Sequence, residues 1–532
     1  MSLSQRTMTI NSLNSEQWDL IIIGGGITGA GILREAVRRD LKVLLLEQQD
    51  FAWGTSSRST KWVHGGLKYL EQGKLKLVVE SVKERQALLR ELPGLVSEFS
   101  LMLASYRKDR STRLLARVGL VIYDIICRRW RKHRFSFNEV IAAVPELRTD
   151  DLSCGIMLYE SITDDARLVF RLLDEAMDDG GTAINYLKAE RLLFTNGSVS
   201  GVTAIDSTNG ENIDLRSRLV INATGAWADN LRQQVNNDAT KYMRPLRGSH
   251  LVFSADTIPI TQSLSMVHPE DGRLVFAYLW EGRIVAGSTD LDHKGDLNDE
   301  AAVSREEVNY ILANLHYHFP NLSISEHDII ASFSGVRPVV ASGASDPSKE
   351  SRDHVVWQED GLMTVTGGKL TTFRVIALDA LTHAQDVLGA LPNLNSNTPV
   401  FSAVKDLELN ANQKLSPEQL QRLQGRYGSK AALLLFEALD DELEEIPGTH
   451  TLWAELRWAV QQEAVIHLAD LLLRRTRIGL LLKEGGKCHF PRIKNICQPL
   501  LEWSEDRWHQ EEQDYLGVWT RCYSVPYMQI DN

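Results

Sequence analysis

The sequence predicts an α/β protein with a separate helical C-terminal domain, and three observations lead there. Residues 19–23 and 42–46 are short apolar runs, the first ending in three glycines and the second at Glu47, as buried parallel strands do. Between them Ala30, Leu33, Ala36 and Val37 fall at helical spacing, with Arg34, Arg38 and Arg39 off that stripe, so strand, helix and strand follow within about thirty residues. Far downstream, 418–439 and 452–482 carry Leu, Ala and Arg at helical spacing with little proline.

These signals divide the chain. Residues 1–17 are polar and lack the roughly 7–15-residue apolar stretch of a secretory signal, so a disordered tail is expected there. Residues 18–395 form one large α/β region, in which the apolar run 218–222 leads into Ala223-Thr-Gly225. Pro, Asn, Ser and Lys then accumulate, placing a linker at 396–416, and 417–532 is the helical domain.

At 532 residues, with 43% hydrophobic and 24% charged side chains, the chain has material for a sizeable core. A formal charge of -12 excludes a surface that coats nucleic acid. Five cysteines with no CxxC pair read as reduced thiols of a cytosolic protein. No run reaches the roughly 18 apolar residues of a membrane span, because 118–127 is broken by Asp124; any membrane contact is peripheral.

Gly24-Gly-Gly26-Ile-Thr-Gly29 fits GxGxxG in the setting the physics requires, with a strand running in and a helix running out. Gly24 permits a tight turn, Gly26 lets backbone approach a pyrophosphate, and Gly29 lets helix pack on strand. The helix N-terminus then faces the phosphates. Glu47, 21 residues after Gly26, is placed to accept hydrogen bonds from a ribose and would repel a 2′-phosphate. Between NAD and FAD, the Ala223-Thr-Gly225 segment after a buried strand favours FAD, since in two-domain flavoproteins such a segment returns to the dinucleotide near its ring. The expected architecture is an FAD-binding Rossmann-like domain interleaved with a substrate-binding mixed-sheet domain, plus the helical C-terminal domain.

Thr55-Ser-Ser-Arg-Ser-Thr-Lys61 followed by His64-Gly-Gly-Leu-Lys-Tyr69 resembles the signature of the FAD-dependent, respiratory glycerol-3-phosphate dehydrogenases. Thr163-Asp-Asp-Ala-Arg167, Asn222-Ala-Thr-Gly225, Gly248-Ser-His250, Gly287-Ser-Thr-Asp290, Ser334-Gly-Val-Arg-Pro338, Gly367-Gly-Lys-Leu-Thr-Thr372 and the tail segment Arg474-Arg-Thr476 are similar to the same family in order, covering about residues 19–479. The resemblance implies oxidation of sn-glycerol 3-phosphate to dihydroxyacetone phosphate, with electrons passing through FAD to a membrane quinone. It also implies that Thr55, Ser56, Ser57, Ala223, Gly225, Gly368, Leu370 and Thr371 join Gly24, Gly26, Gly29 and Glu47 around the cofactor.

A phosphorylated substrate calls for cations, and Arg337, Arg352 and Lys369 match the family's cationic positions. His64 and His250 are both candidates for the proton acceptor, since imidazole titrates near neutrality. Where the family has Gly-Leu-Arg-Tyr this chain has Gly-Leu-Lys68-Tyr, which keeps the charge and loses the bidentate fork. Lys68 is therefore a candidate phosphate ligand of a weaker kind.

Residues 106–134 hold ten Lys and Arg side chains, interleaved with Leu, Val and Ile, against Asp109 and Asp124. Such a segment suits an anionic lipid surface at the inner face of the cytoplasmic membrane, or else an ordinary helix with a solvated basic face. His316 and His318 lack partners for a metal site, so none is expected. Competing readings are a related flavoprotein that oxidises an amino or hydroxy acid, and a membrane-docked flavin-binding protein without turnover; a homodimer is left open.

Overall fold

The computed structural model describes residues 3–66, 73–106, 123–127, 131–236, 241–341, 350, 353–394, 398–404, 407 and 414–526. Two sheets share the α/β region. In the first, the parallel strands stand in the order Leu362–Gly367, Asn212–Asn222, Trp18–Ile23, Val43–Leu46 and Thr182–Ile184, with His354–Glu359 antiparallel at one edge. The apolar runs read from sequence are its central strands, buried on both faces. Ile27–Val37, Asp165–Asp178 and Phe373–Leu388 cover one face, and the antiparallel strands Leu187–Thr195 and Ser198–Asp206 pack on the other. The carboxyl ends of the central strands, at Ile23 and Asn222, lie side by side in register, and ligands of open α/β sheets bind outside such ends.

The second sheet is mixed and ten-stranded, drawn from 62–163 and 243–340, so the chain passes from one sheet to the other and back. At one edge Ile329–Val340 runs antiparallel to Met243–Ser254, with Arg283–Gly287 on the other side of the latter. The C-terminal helices pack on this sheet: Val252, Tyr278, Trp280 and Phe333 share a core with Trp453, Leu456, Leu472 and Trp508.

Two expectations are corrected. The tail expected to be disordered is a helix, Leu3–Ser12, followed by a 3-10 turn, Leu13–Ser15. Ile10 and Leu13 are buried beside Trp18, and Arg6 pairs with Asp206 at 3.0 Å. Two apolar side chains and one buried ion pair therefore dock a segment whose composition is otherwise polar. Within the expected linker, 398–404 is not a loose spacer: Val400 and Phe401 are buried in the first core. The amide of Val400 donates to Glu91 at 2.7 Å, and Arg34 Nε donates to its carbonyl at 3.0 Å. The first helix of the C-terminal region, Pro417–Tyr427, starts behind a Ser416–Gln419 capping box.

Candidate active site

Gly24 has φ +115°, and a Cβ there would meet the Ala223 carbonyl oxygen at 2.5 Å; one on Gly29 would meet the Gly24 oxygen at 1.9 Å. Backbone thus packs on backbone where the Ile27–Val37 helix leaves the loop. That helix has no side-chain cap and no acidic residue in its first turn, which suits an anion at its N-terminus. Ser56, in the 3-10 turn Thr55–Ser57, reaches the same place: its hydroxyl accepts from the Ile27 amide at 3.0 Å, keeping its own proton to donate. Thr55 hydrogen-bonds the carbonyl of Val336, tying the turn to the second sheet.

Glu47 is half-buried, and its carboxylate accepts the amides of Gly25 (2.7 Å) and Gln49 (2.8 Å). Burial pushes its carboxyl up to about 7 against those two hydrogen bonds. Gly225, with φ +61°, lies 3.9 Å, measured from an added Cβ, from Pro338 of the second sheet. Gly368 and Leu370 enter the Phe373–Leu388 helix through the turn Leu370–Thr372. Thr371 Oγ1 and Trp227 Nε1 are buried polar atoms with no hydrogen-bond partner in the protein. An uncapped helix end, a carboxylate at the second strand and these two orphaned groups fit a dinucleotide such as FAD. Gly24, Gly26, Glu47 and Ser56 would hold it.

On the second sheet, Leu246, Gly248 and His250 stand opposite Arg337, Gly335 and Phe333. Alternation puts these six on one face. The absence of a side chain at Gly248 lets the Arg337 guanidinium fold over it, since a Cβ would meet Arg337 Nη2 at 2.4 Å. Asp290 Oδ1 lies 2.7 Å from Arg337 Nη1, and Arg337 Nη2 donates to Ser288 Oγ at 3.1 Å.

His250 is buried, stacks on Phe333 with centroids 4.6 Å apart, and places Nε2 3.2 Å from Thr60 Oγ1. Its Nδ1 is buried with no partner in the protein. Burial first, then the charges of Arg337 and Lys61, hold its imidazole well below the usual range, so the ring is neutral at pH 7. Lys61 is wholly buried, 4.6 Å from the centroid of Phe333 and 3.0 Å from Asp165.

His64 is half-buried at the end of the Trp62–Val63 strand, and the next amide, Gly65, donates to Glu160 at 2.8 Å. Lys369 precedes the Leu370–Thr372 turn. Lys68 and Arg352 lie outside the described residues, as do 107–122 and 128–130 of the basic segment. The structure therefore brings His250 and Arg337 to one sheet face; of the other three cationic candidates it describes Lys369, while Lys68 and Arg352 lie outside the described residues. Asp290, Lys61 and Glu160 are additional residues of the site; Asp290 and Lys61 close glycine- and serine-rich motifs visible in the sequence, whereas nothing local marks Glu160. Among the described residues no group of three or more His, Cys, Asp or Glu is placed to hold a metal ion.

Comparison with known proteins shows the family. Residues 19–374 match the family described as FAD dependent oxidoreductase, and 381–508 match the C-terminal domain of alpha-glycerophosphate oxidase. The aerobic glycerol-3-phosphate dehydrogenase of Bacillus subtilis is 34% identical, over 96% of this chain and 94% of that protein. That of Staphylococcus aureus is 31% identical, over 93% and 91%. The crystal structure of the glycerol-3-phosphate dehydrogenase from Bacillus halodurans complexed with FAD superposes with a TM-score of 0.78 at 26% identity, covering 97% of this chain and 98% of that one. The FAD-bound L-alpha-glycerophosphate oxidase of Mycoplasma pneumoniae shares the fold, with a TM-score of 0.58 at 17% identity over 73% of this chain and 98% of that one. With its FAD cofactor, the chain belongs to the glycerol-3-phosphate dehydrogenase family of FAD-dependent oxidoreductases.

Proposed function

We propose that the protein oxidises sn-glycerol 3-phosphate to dihydroxyacetone phosphate and passes the electrons to a membrane quinone. The observation that carries the reading is the meeting, on one sheet face, of the Arg337 guanidinium with the buried, neutral imidazole of His250. FAD, when bound, supplies the acceptor for the hydride that leaves C2 of the substrate. Arg337 anchors the phosphate through its planar guanidinium, which Asp290 and Ser288 orient. Lys369, Lys68 and Arg352 add charge around the same anion. His250, neutral and with Nδ1 unpaired in the protein, takes the proton of the C2 hydroxyl; the half-buried His64 is the second candidate. Holding the reacting atoms in line is worth about 7–11 kcal/mol, and the phosphate anchor supplies much of it.

No helix among the described residues is long and apolar enough to cross a membrane. Access to a quinone is then peripheral, through the basic segment 106–134 on anionic lipid, where each cation contributes roughly 1 kcal/mol. The direct test is an anaerobic absorbance titration of the holoprotein with sn-glycerol 3-phosphate, beside Arg337→Ala. Bleaching of the flavin band in wild type and its loss in the variant are expected; a wild-type flavin that stays oxidised would overturn the assignment. Quinone-dependent turnover, compared with peroxide formation in air, tests the acceptor.

A further inference from the structure

The C-terminal helical domain sends one short segment deep into the α/β region. Arg474 and Arg475 both pair with Asp50, three residues past Glu47, and all three are buried. Two residues on, Arg477 has φ +63° and is 2% exposed. Its Nε donates to Asp164 at 3.0 Å, Nη2 pairs with Asp165, and Nη1 donates to the Leu473 carbonyl at 2.8 Å and to the Ser57 carbonyl at 3.2 Å. Lys61 Nζ donates to the same Ser57 carbonyl at 3.2 Å and to Asp165 at 3.0 Å. One backbone oxygen at the end of the Thr55–Ser57 turn is thus gripped by two buried cations, one from each domain, held by a shared carboxylate.

The other end of that turn meets the dinucleotide loop. Ser56 Oγ accepts from the Ile27 amide, and a Cβ on Gly26 would come within 3.1 Å of that oxygen. Any slackening at Ser57 moves Ser56 against the loop whose amides face the pyrophosphate. We propose that Arg477 is a positioning residue of the flavin site: from the C-terminal domain, together with Lys61, it fixes the Ser57 carbonyl and so sets Ser56 against the N-terminus of the Ile27–Val37 helix.

The inference rests on the reading of the Thr55–Ser57 turn as part of the cofactor site, and it gives the C-terminal domain a direct part in retaining FAD. Arginine is required because its planar fork reaches two carboxylates and two carbonyls at once, which the point charge of a lysine cannot do.

The test measures FAD release from the holoprotein, by the rise of free-flavin fluorescence on dilution, with Tm recorded alongside. The variants are Arg477→Lys, Arg477→Met and Lys61→Met. The control is the paired substitution Lys430→Met with Asp174→Asn, which removes an ion pair between the same domains that involves neither the turn nor the 474–477 segment. Losing a hydrogen bond from a charged donor predicts release about 10–100-fold faster in both Arg477 variants, with Lys61→Met shifted in the same direction. The control is expected to lower Tm and leave release at the wild-type rate. Because Arg477→Lys keeps the buried charge, it remains informative if Arg477→Met does not fold. Release unchanged in the Arg477 variants that fold, or accelerated equally in the control, overturns the proposal. Wild-type protein that retains no FAD at all would overturn both the proposal and the reading of the turn.

Discussion

Arg337 Nη1 is held 2.7 Å from Asp290 Oδ1, so the guanidinium proposed as the phosphate anchor is already oriented by a carboxylate with its own side chain 7% exposed. The pair poses a choice. Asp290 either aims the fork or competes with the phosphate for it. The geometry favours aiming, because Ser288 takes the other terminal nitrogen and together they fix the plane of the guanidinium. Asp290→Asn keeps one acceptor and loses the charge. Its expected effect is a KM for sn-glycerol 3-phosphate raised about 3–10-fold, on the order of one hydrogen bond. A KM lowered by the same change would make Asp290 a competitor.

The Gly65 loop carries a second prediction. Glu160 Oε2 accepts from the Gly65 amide and from Arg85 Nη1, both at 2.8 Å, and Tyr123 receives a hydrogen bond from the same Arg85 nitrogen at 2.7 Å. A Cβ on Gly65 would meet the Tyr123 hydroxyl at 1.9 Å. Tyr123 belongs to the described part of the basic segment, 123–127, and braces that part against the loop bearing His64. Glu160→Gln is expected to raise KM more than it lowers kcat and to destabilise the fold by about 3 kcal/mol, since Arg85 loses its buried counter-charge. Equal losses in kcat and kcat/KM would assign the loop to the chemical step instead of to binding.

Burial also writes a pH dependence into the fold. His318 is held down to about 4, chiefly by burial, and His250 well below the usual imidazole range. Both are neutral when folded and near pKa 6.5 when unfolded, so the unfolded chain binds more protons below that pH. Their contribution is complete above pH 6.5 and is lost as pH falls toward their folded values. His318 alone accounts for about 3 kcal/mol by pH 4. The raised Glu47 carboxyl acts in the opposite direction over the same window, so the readout is the difference in Tm between wild type and His318→Asn at pH 7.5, 6.5, 5.5 and 5, expected to shrink below 6.5. A difference that does not change with pH would contradict the neutral assignment.

Legibility from sequence followed distance along the chain. The glycine loop and Glu47 could be read because backbone geometry confines their relation to one strand–helix–strand unit. Asp290 went unread as a partner because Arg337 is 47 residues away and nothing local marks the pair. Glu160 lies 95 residues from Gly65, and Arg477 lies 420 from Ser57. The N-terminal segment misled for the same reason: its anchor, Arg6 to Asp206, spans 200 residues, and Ile10 and Leu13 are too few to give a period. What composition conveys is local, and these ion pairs exist only once the two sheets and the C-terminal helices have met.

Glu47 makes a prediction about the cofactor itself. In the protein alone its carboxyl is raised to about 7 by burial, and the amides of Gln49 and Gly25 only partly oppose that. A ribose whose hydroxyls donate to this carboxylate stabilises the charged form, because hydroxyl donors favour the ion and a protonated carboxyl accepts less well. FAD should therefore bind the deprotonated protein in preference. By linkage, binding releases a proton in the window around pH 7, and affinity rises between pH 6 and 8. Titrating apoprotein with FAD in two buffers of different ionisation enthalpy measures the proton directly. Glu47→Gln has no proton to release, so its FAD affinity is expected to be weaker than wild type at pH 8 and to lose the dependence on pH. Proton uptake by wild type, or the same slope in the Gln variant, would place the ribose elsewhere and remove Glu47 from the site.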